Sequence, residues 1–100
     1  MCETQRFTNY VVLVTGGAQG LGEAIADRFA REGAAVIVSD VNEEGAKATA
    51  ARIAQEHGTK ALGIRMDVTD DFEVRSALEM IEREFGRLAV LNANAGSLKA

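Results

Sequence analysis

Apolar residues in this chain alternate between short unbroken β-branched runs and stripes that recur every three or four positions. The first run, Tyr10-Val11-Val12-Leu13-Val14-Thr15, ends in Gly16-Gly17 and predicts a strand buried on both faces. A stripe at Leu21, Ile25 and Phe29 predicts the first helix, with Gly33 placed to end it. Ala35 to Asp40 is the second predicted strand. Asn42 then caps a second helix, whose first turn carries Glu43 and Glu44 where the positive end of the macrodipole favours them. Its apolar face is Ala46, Ala50, Ile53 and Ala54, and Gly58 ends it. Ala61 to Met66 predicts a third strand running into Asp67-Val68. The third helix carries Val74, Leu78, Ile81 and Phe85 and stops at Gly86, and Leu88 to Leu91 predicts a fourth strand.

Short strands alternating with helices pair in parallel through right-handed crossovers. The predicted fold is therefore α/β, a doubly wound parallel sheet with the order of elements β-α-β-α-β-α-β. No proline, repeat or low-complexity tract marks a linker, so residues 1–100 read as one unit. Four strands would leave the fourth as an unprotected edge. The expectation is a partial domain, the N-terminal part of a longer single-domain protein.

The composition narrows the partners. At 47% hydrophobic and 26% charged residues, the chain reads as a soluble globular sequence. A formal net charge of −4 argues against a nucleic-acid partner, which calls for a clustered basic face. Any anionic ligand must then be held mainly by backbone N–H groups. The single cysteine, Cys2, rules out an internal disulfide and any multi-cysteine metal site, and its place near the terminus marks it as an incidental thiol. The first ten residues carry Glu3 and Arg6 and lack an apolar core, and the Val11 to Val14 run is far too short to cross a bilayer. The expected address is cytoplasmic, with no membrane partner.

The segment Thr15-Gly16-Gly17-Ala18-Gln19-Gly20-Leu21-Gly22 lies where the first strand turns into the first helix. Glycines at 16, 20 and 22 suit a tight turn, close approach of backbone to a pyrophosphate, and close packing of helix on strand. Phosphates would rest on the free N–H groups of the helix start, which need no basic side chain. Three glycines at this spacing are a weak signal alone, arising by chance in roughly one chain in ten of this composition. Their position at a strand-to-helix turn, with an acidic residue about 20 positions on at the end of the second strand, makes the signal strong and the fold Rossmann-type. That residue is Asp40, placed to accept hydrogen bonds from both hydroxyls of an adenosine ribose. A 2′-phosphate would meet this carboxylate at about 4 Å, an unfavourable term of about 4 kcal/mol per charge pair at an effective dielectric near 20. No Arg or Lys occupies the loop, so the expected cofactor is NAD.

The segment Val11 to Gly96 resembles the short-chain dehydrogenase/reductase family, whose glycine loop has the form T-G-x-x-x-G-x-G. Met66-Asp67-Val68-Thr69-Asp70 resembles the family's acidic motif after the third strand. Val90-Leu91-Asn92-Ala93-Asn94-Ala95-Gly96 resembles its N-N-A-G motif after the fourth. The resemblance implies that Gly16, Gln19, Gly20, Leu21 and Gly22 form the ribose-pyrophosphate site and that Asp40 holds the adenosine ribose. It implies that Asp67 and the Val68 backbone meet the adenine edge, while Asn94, Ala95 and Gly96 flank the cofactor. It makes Thr15 a structural hydroxyl that ties the first strand to the segment after the fourth. Two departures stand out: Ala93 replaces the first asparagine of N-N-A-G, and Ala89 stands where the family often has aspartate. The substitution at Ala93 is expected to alter local bracing more than cofactor binding.

The activity implied by the resemblance is an NAD-dependent oxidoreductase acting on an alcohol or carbonyl, with a polyol, sugar or secondary alcohol as the range of small-molecule substrates. It also implies a homo-oligomer for the whole protein. The family's tyrosine and lysine occupy a Y-x-x-x-K helix turn in which the lysine lowers the phenol pKa for proton transfer. The one tyrosine here, Tyr10, precedes the first strand with Val14 four places on, and Ser97 and Lys99 come too early to match. No catalytic residue is assigned within the chain, and those residues are expected beyond Ala100. A non-catalytic dinucleotide sensor would share the same cofactor half. An S-adenosylmethionine methyltransferase normally carries an acid at the start of its glycine loop, where Val14-Thr15 offers none.

Other polar candidates read as structural. His57, at the end of the second helix, is expected on the surface or near the helix's free carbonyls. The cluster Asp67, Asp70 and Asp71 suits cofactor contact, an N-cap and the helix dipole better than a metal, and no metal site is assigned.

Overall fold

The computed structural model describes residues 9–18, 20–87 and, as backbone, 90–93. Its elements are β1 (Val11–Thr15), α1 (Gly20–Arg31), β2 (Ala35–Asp40), α2 (Glu43–His57), β3 (Ala61–Arg65), α3 (Asp71–Phe85) and β4 (Val90–Ala93). The strands form one sheet in the order β3-β2-β1-β4, and every pairing is parallel. This is the expected doubly wound arrangement. Strand order reverses between β1 and β4, and ligands of such sheets bind beyond the carboxyl ends of the strands at that point.

Alternation along β1 shows why the strands are continuously apolar. Val12 and Val14 face one side, where they meet Val36 and Val38 of β2 and the small residues Ala26 and Ala30 of α1 and Ala46 and Ala50 of α2. Val11 and Leu13 face the other, with Ile37 of β2 and Ala77 and Ile81 of α3. Both faces are covered, so period-two alternation of apolar and polar residues has no place here. Among the described residues no helix is long and apolar enough to cross a membrane.

Close approach of α2 to the sheet depends on Gly63 in β3. A Cβ there would stand 2.5 Å from both the Ala46 carbonyl oxygen and the Lys47 Cα. Bare Cα atoms thus let the helix backbone lie directly on the strand.

Two expectations about elements need correction. The fourth strand continues to Ala93, past the expected end at Leu91, because it pairs with β1 from Val12 opposite Val90 through Thr15 opposite Ala93. Leu88 and Ala89 lie outside the described residues. Leu21 does not join the buried stripe of α1: it is 67% exposed, and the buried positions are Gly22, Ala26 and Ala30. The helix lies close enough to the sheet that small residues fill the contact, with Ile25 and Phe29 partly buried beside them.

The remaining helix signals hold. Asn42 caps α2, accepting from the Gly45 N–H, and Asp70 caps α3, accepting from the N–H groups of Phe72 and Glu73. Gly58 and Gly86 close the two helices through their N–H groups to Ala54 and Glu82.

Candidate functional site

The glycine loop leaves β1 at Thr15, which is buried and lies opposite Ala93 at the end of β4. Gly16 and Gly20 have φ of 68° and 64°, in the left-handed region where a side chain is strained. Among the described residues, no atom lies within 4 Å of where a Cβ on Gly20 would stand. Gly17 is crowded instead, with its absent Cβ 2.7 Å from Val38 Cγ1, and its N–H donates to the Ser39 carbonyl at 3.1 Å. Gly22 is buried in α1, as the packing role requires, while exposed Leu21 stands on the first turn.

Asp40 ends β2 beside this loop. One carboxylate oxygen accepts from the Ala18 N–H at 3.1 Å and the other from the Asn42 N–H at 3.0 Å. An ionised carboxylate offers about four lone-pair directions, so each oxygen can still accept one more hydrogen bond. That remaining capacity matches a diol. The aspartate is half-buried and anchored to backbone on both sides, so its position relative to the loop is fixed by the fold.

Asp67 lies at the turn that follows β3, reached through Met66, whose N–H donates to the Asp40 carbonyl at 3.1 Å. Its Oδ1 accepts from the Thr69 hydroxyl at 2.7 Å and the Thr69 N–H at 2.9 Å, and these bonds hold its pKa below the usual aspartate value. Glu73 reaches back from α3 to accept from the Asp67 N–H at 3.0 Å while pairing with Arg65. The Val68 side chain packs against the cluster on the α3 side of the sheet, which leaves its backbone as the part available to a ligand.

The order of elements places Gly16, Asp40, Asp67 and Val68 at the carboxyl ends of the strands, with Gly20, Leu21 and Gly22 on the first turn of α1. Gln19, Asn94, Ala95 and Gly96 lie outside the described residues, as do Cys2, Ser97 and Lys99 and the segment to which Thr15 was expected to bond. Tyr10 precedes β1 and so stands at the opposite end of the strand, about 16 Å from the glycine loop at 3.3 Å per residue. It is in no position to serve this site.

Sequence reasoning missed the residues that support the loop from α2. Thr49 is buried and its hydroxyl donates to the Ala18 carbonyl at 3.2 Å. Gly45 lets the first turn of α2 lie against the loop, since a Cβ there would stand 3.0 Å from the Ala18 Cβ. A glycine inside a helix was the one available signal of such an approach.

His57, expected on the surface or near the helix-end carbonyls, is partly exposed and takes a partner on another helix. Its Nε2 lies 2.9 Å from Asp27 Oδ1 of α1, not at a helix-end carbonyl. Arg52 joins the same network, bonding Asp27 at 3.3 Å, Glu56 at 3.0 Å and Glu23 at 3.0 Å. The hydrogen bond to His57 and the bond and charge of Arg52 hold the Asp27 carboxyl below its ordinary value despite partial burial. Asp27, Glu56 and His57 bring potential metal-ligating atoms within 4.8 Å of one another. Arg52 already bridges the two carboxylates through one nitrogen, so the group works as an ion-pair link between α1 and α2.

Comparison with known proteins places the chain in a family. A family model described as short chain dehydrogenase matches residues 10–100. The chain is 47% identical over 91 residues to 2,5-dichloro-2,5-cyclohexadiene-1,4-diol dehydrogenase LinX of Sphingobium indicum, covering 91% of this chain and 36% of that protein. It is 41% identical over 91 residues to D-threitol dehydrogenase of Mycolicibacterium smegmatis, covering 91% of this chain and 35% of the relative. In structure it is similar to hydroxysteroid dehydrogenase from Escherichia coli, with a TM-score of 0.87 and 31% identity over 97% of this chain and 41% of that one. The chain thus spans about a third of the length of the curated relatives it matches.

Proposed function

The chain belongs to the short-chain dehydrogenase family, a family of oxidoreductases that use a nicotinamide dinucleotide, and from that premise we propose that it supplies the NAD-binding half of an alcohol dehydrogenase or carbonyl reductase. The reaction is hydride transfer between the carbinol carbon and the nicotinamide: alcohol and NAD⁺ give carbonyl, NADH and a proton. The cofactor supplies the hydride chemistry when bound. This chain's residues bind and orient it.

One observation carries the reading: Asp40 is fixed by backbone bonds from Ala18 of the glycine loop and from Asn42 at the start of α2, with hydrogen-bonding capacity left on both oxygens. A ribose diol beside the loop uses that capacity. A 2′-phosphate in the same place sets two anions about 4 Å apart, worth about 4 kcal/mol per charge pair at an effective dielectric near 20. The choice of NAD over NADP follows from this difference. Gly16 and Gly20 leave room for the pyrophosphate on the N–H groups at the start of α1, and exposed Leu21 covers it from the first turn. The Asp67 carboxylate and Val68 backbone take the adenine edge, and Gln19, Asn94, Ala95 and Gly96 complete the cofactor contacts.

The relatives named above act on a cyclic diol and on threitol. A small alcohol or polyol is the substrate class we assign, with proton transfer supplied by residues outside this chain, in a soluble cytoplasmic homo-oligomer. The test is alcohol-dependent reduction of NAD by the intact protein, followed by nicotinamide absorbance across secondary alcohols, diols and polyols. Turnover with at least one of them is expected. Tight NADH binding with no turnover of any alcohol or of the matching carbonyls would overturn the dehydrogenase assignment and leave a dinucleotide-binding protein.

A further inference from the structure

We infer that Thr49, which is remote from any reacting atom, is a positioning residue for the dinucleotide loop: its hydroxyl sets the Ala18 carbonyl so that the turn is formed before a cofactor arrives. The inference rests on the proposed reading of the glycine loop as the phosphate site.

Thr49 is 5% exposed and lies on the packing face of α2 with Ala46, Ala50 and Ile53. Packing alone asks for an apolar residue there, because a buried hydroxyl is costly unless it is hydrogen-bonded. This one is bonded across 31 residues of sequence to the Ala18 carbonyl, at 3.2 Å. The N–H of the same Ala18 donates to Asp40 at 3.1 Å. Ala18 is therefore held at both its ends, by α2 and by the tip of β2. Planarity of the peptide unit means that a fixed carbonyl fixes the plane of the unit leaving Ala18 toward the turn.

Gly45 makes the contact geometrically possible. It stands four residues before Thr49, on the same face of α2, and its bare Cα lies against the Ala18 side chain. A Cβ at 45 would stand 2.6 Å from the Asn42 side chain and 3.0 Å from the Ala18 Cβ, so glycine lets the cap and the loop contact coexist. A loop already held in its bound form gives up less conformational freedom on binding, so the hydroxyl contributes to affinity without touching the ligand.

Two substitutions separate the hydroxyl from the packing. Thr49→Val keeps the shape and removes the donor, whereas Thr49→Ser keeps the donor and removes a buried methyl. In the intact protein, NADH titrated by its fluorescence should bind Thr49→Val about three- to tenfold more weakly, the worth of one net hydrogen bond. Thr49→Ser should bind within about twofold of wild type even though the lost methyl lowers its Tm. With a turned-over alcohol, Thr49→Val should raise the KM for NAD and leave kcat unchanged, as expected for a group that acts on binding alone. Thr49→Ala replaces Thr49→Val if the latter does not fold. Unchanged NADH affinity in the variant lacking the hydroxyl, or equal weakening in Thr49→Ser, would overturn the inference while leaving the loop as the cofactor site. Failure of wild type to bind either NADH or NADPH would overturn the reading of the loop and the inference together.

Discussion

The Asp40 carboxylate accepts a hydrogen bond from the Ala18 N–H at 3.1 Å, joining the tip of β2 to the loop between β1 and α1. Under the proposed reading, ribose recognition and the shape of the glycine loop share one side chain. Asp40→Ala should loosen the loop even without cofactor, and amide hydrogen exchange of the free protein reads this directly. Exchange at Ala18 and Asn42 should speed up in the variant while the amides of β1 and β2 keep their protection. Unchanged exchange at both would show that the bond does not hold the loop.

Gly16 carries a positive φ at the mouth of the turn. Gly16→Val places a β-branched side chain in a conformation it rarely adopts and across the approach of a phosphate. NADH binding should fall below detection in isothermal titration, in a variant whose circular dichroism still shows native α/β content. A folded variant with wild-type affinity would place the phosphates elsewhere.

Gly63 tests the packing of α2 on β3. In Gly63→Ala the new methyl meets helix backbone at 2.5 Å, with no flexible side chain to yield. The helix must move, at a cost of about 1 to 3 kcal/mol. A Tm lowered by several degrees is expected, and an unchanged Tm would contradict the close approach of helix and strand.

Acid should weaken the link between α1 and α2. Asp27 has a folded pKa below its ordinary 3.8, chiefly through the hydrogen bond with His57 and then through Arg52. A depressed carboxyl pKa contributes stability that is complete above the ordinary value and lost as pH falls through the folded one. The Tm of Asp27→Asn should therefore lie below that of wild type near neutral pH, and the gap should close as pH drops below 3.8. A gap that stays constant down to acid-induced unfolding would mean that the Asp27 charge does not contribute.

Much of this structure is legible in the sequence because its signals are local. The run Ala35 to Asp40 has the same bounds as β2, and the caps at Asn42 and Asp70 bond as their side chains allow. Where the reading slipped, distant parts of the chain decide the outcome. The apolar run ends at Leu91, but pairing with β1 carries β4 on through Asn92 to Ala93, opposite Thr15. Leu21 reads as core by spacing, yet α1 meets the sheet through Gly22, Ala26 and Ala30, since small residues permit the closest contact. Nothing in the local sequence marks Thr49. Only the fold brings the Ala18 carbonyl to it, and no periodicity records a bond across 31 residues.

The central claim is that Asp40 selects NAD, and the most direct test is the ratio of NADPH to NADH dissociation constants for the intact protein and for Asp40→Ala. The account predicts a wild-type ratio of at least about a hundredfold in favour of NADH, the scale set by several kcal/mol of charge repulsion. In Asp40→Ala that ratio should shrink by about tenfold or more, as NADH loses its ribose contact and NADPH loses the opposing charge. Equal or tighter binding of NADPH by the wild-type protein would contradict the account.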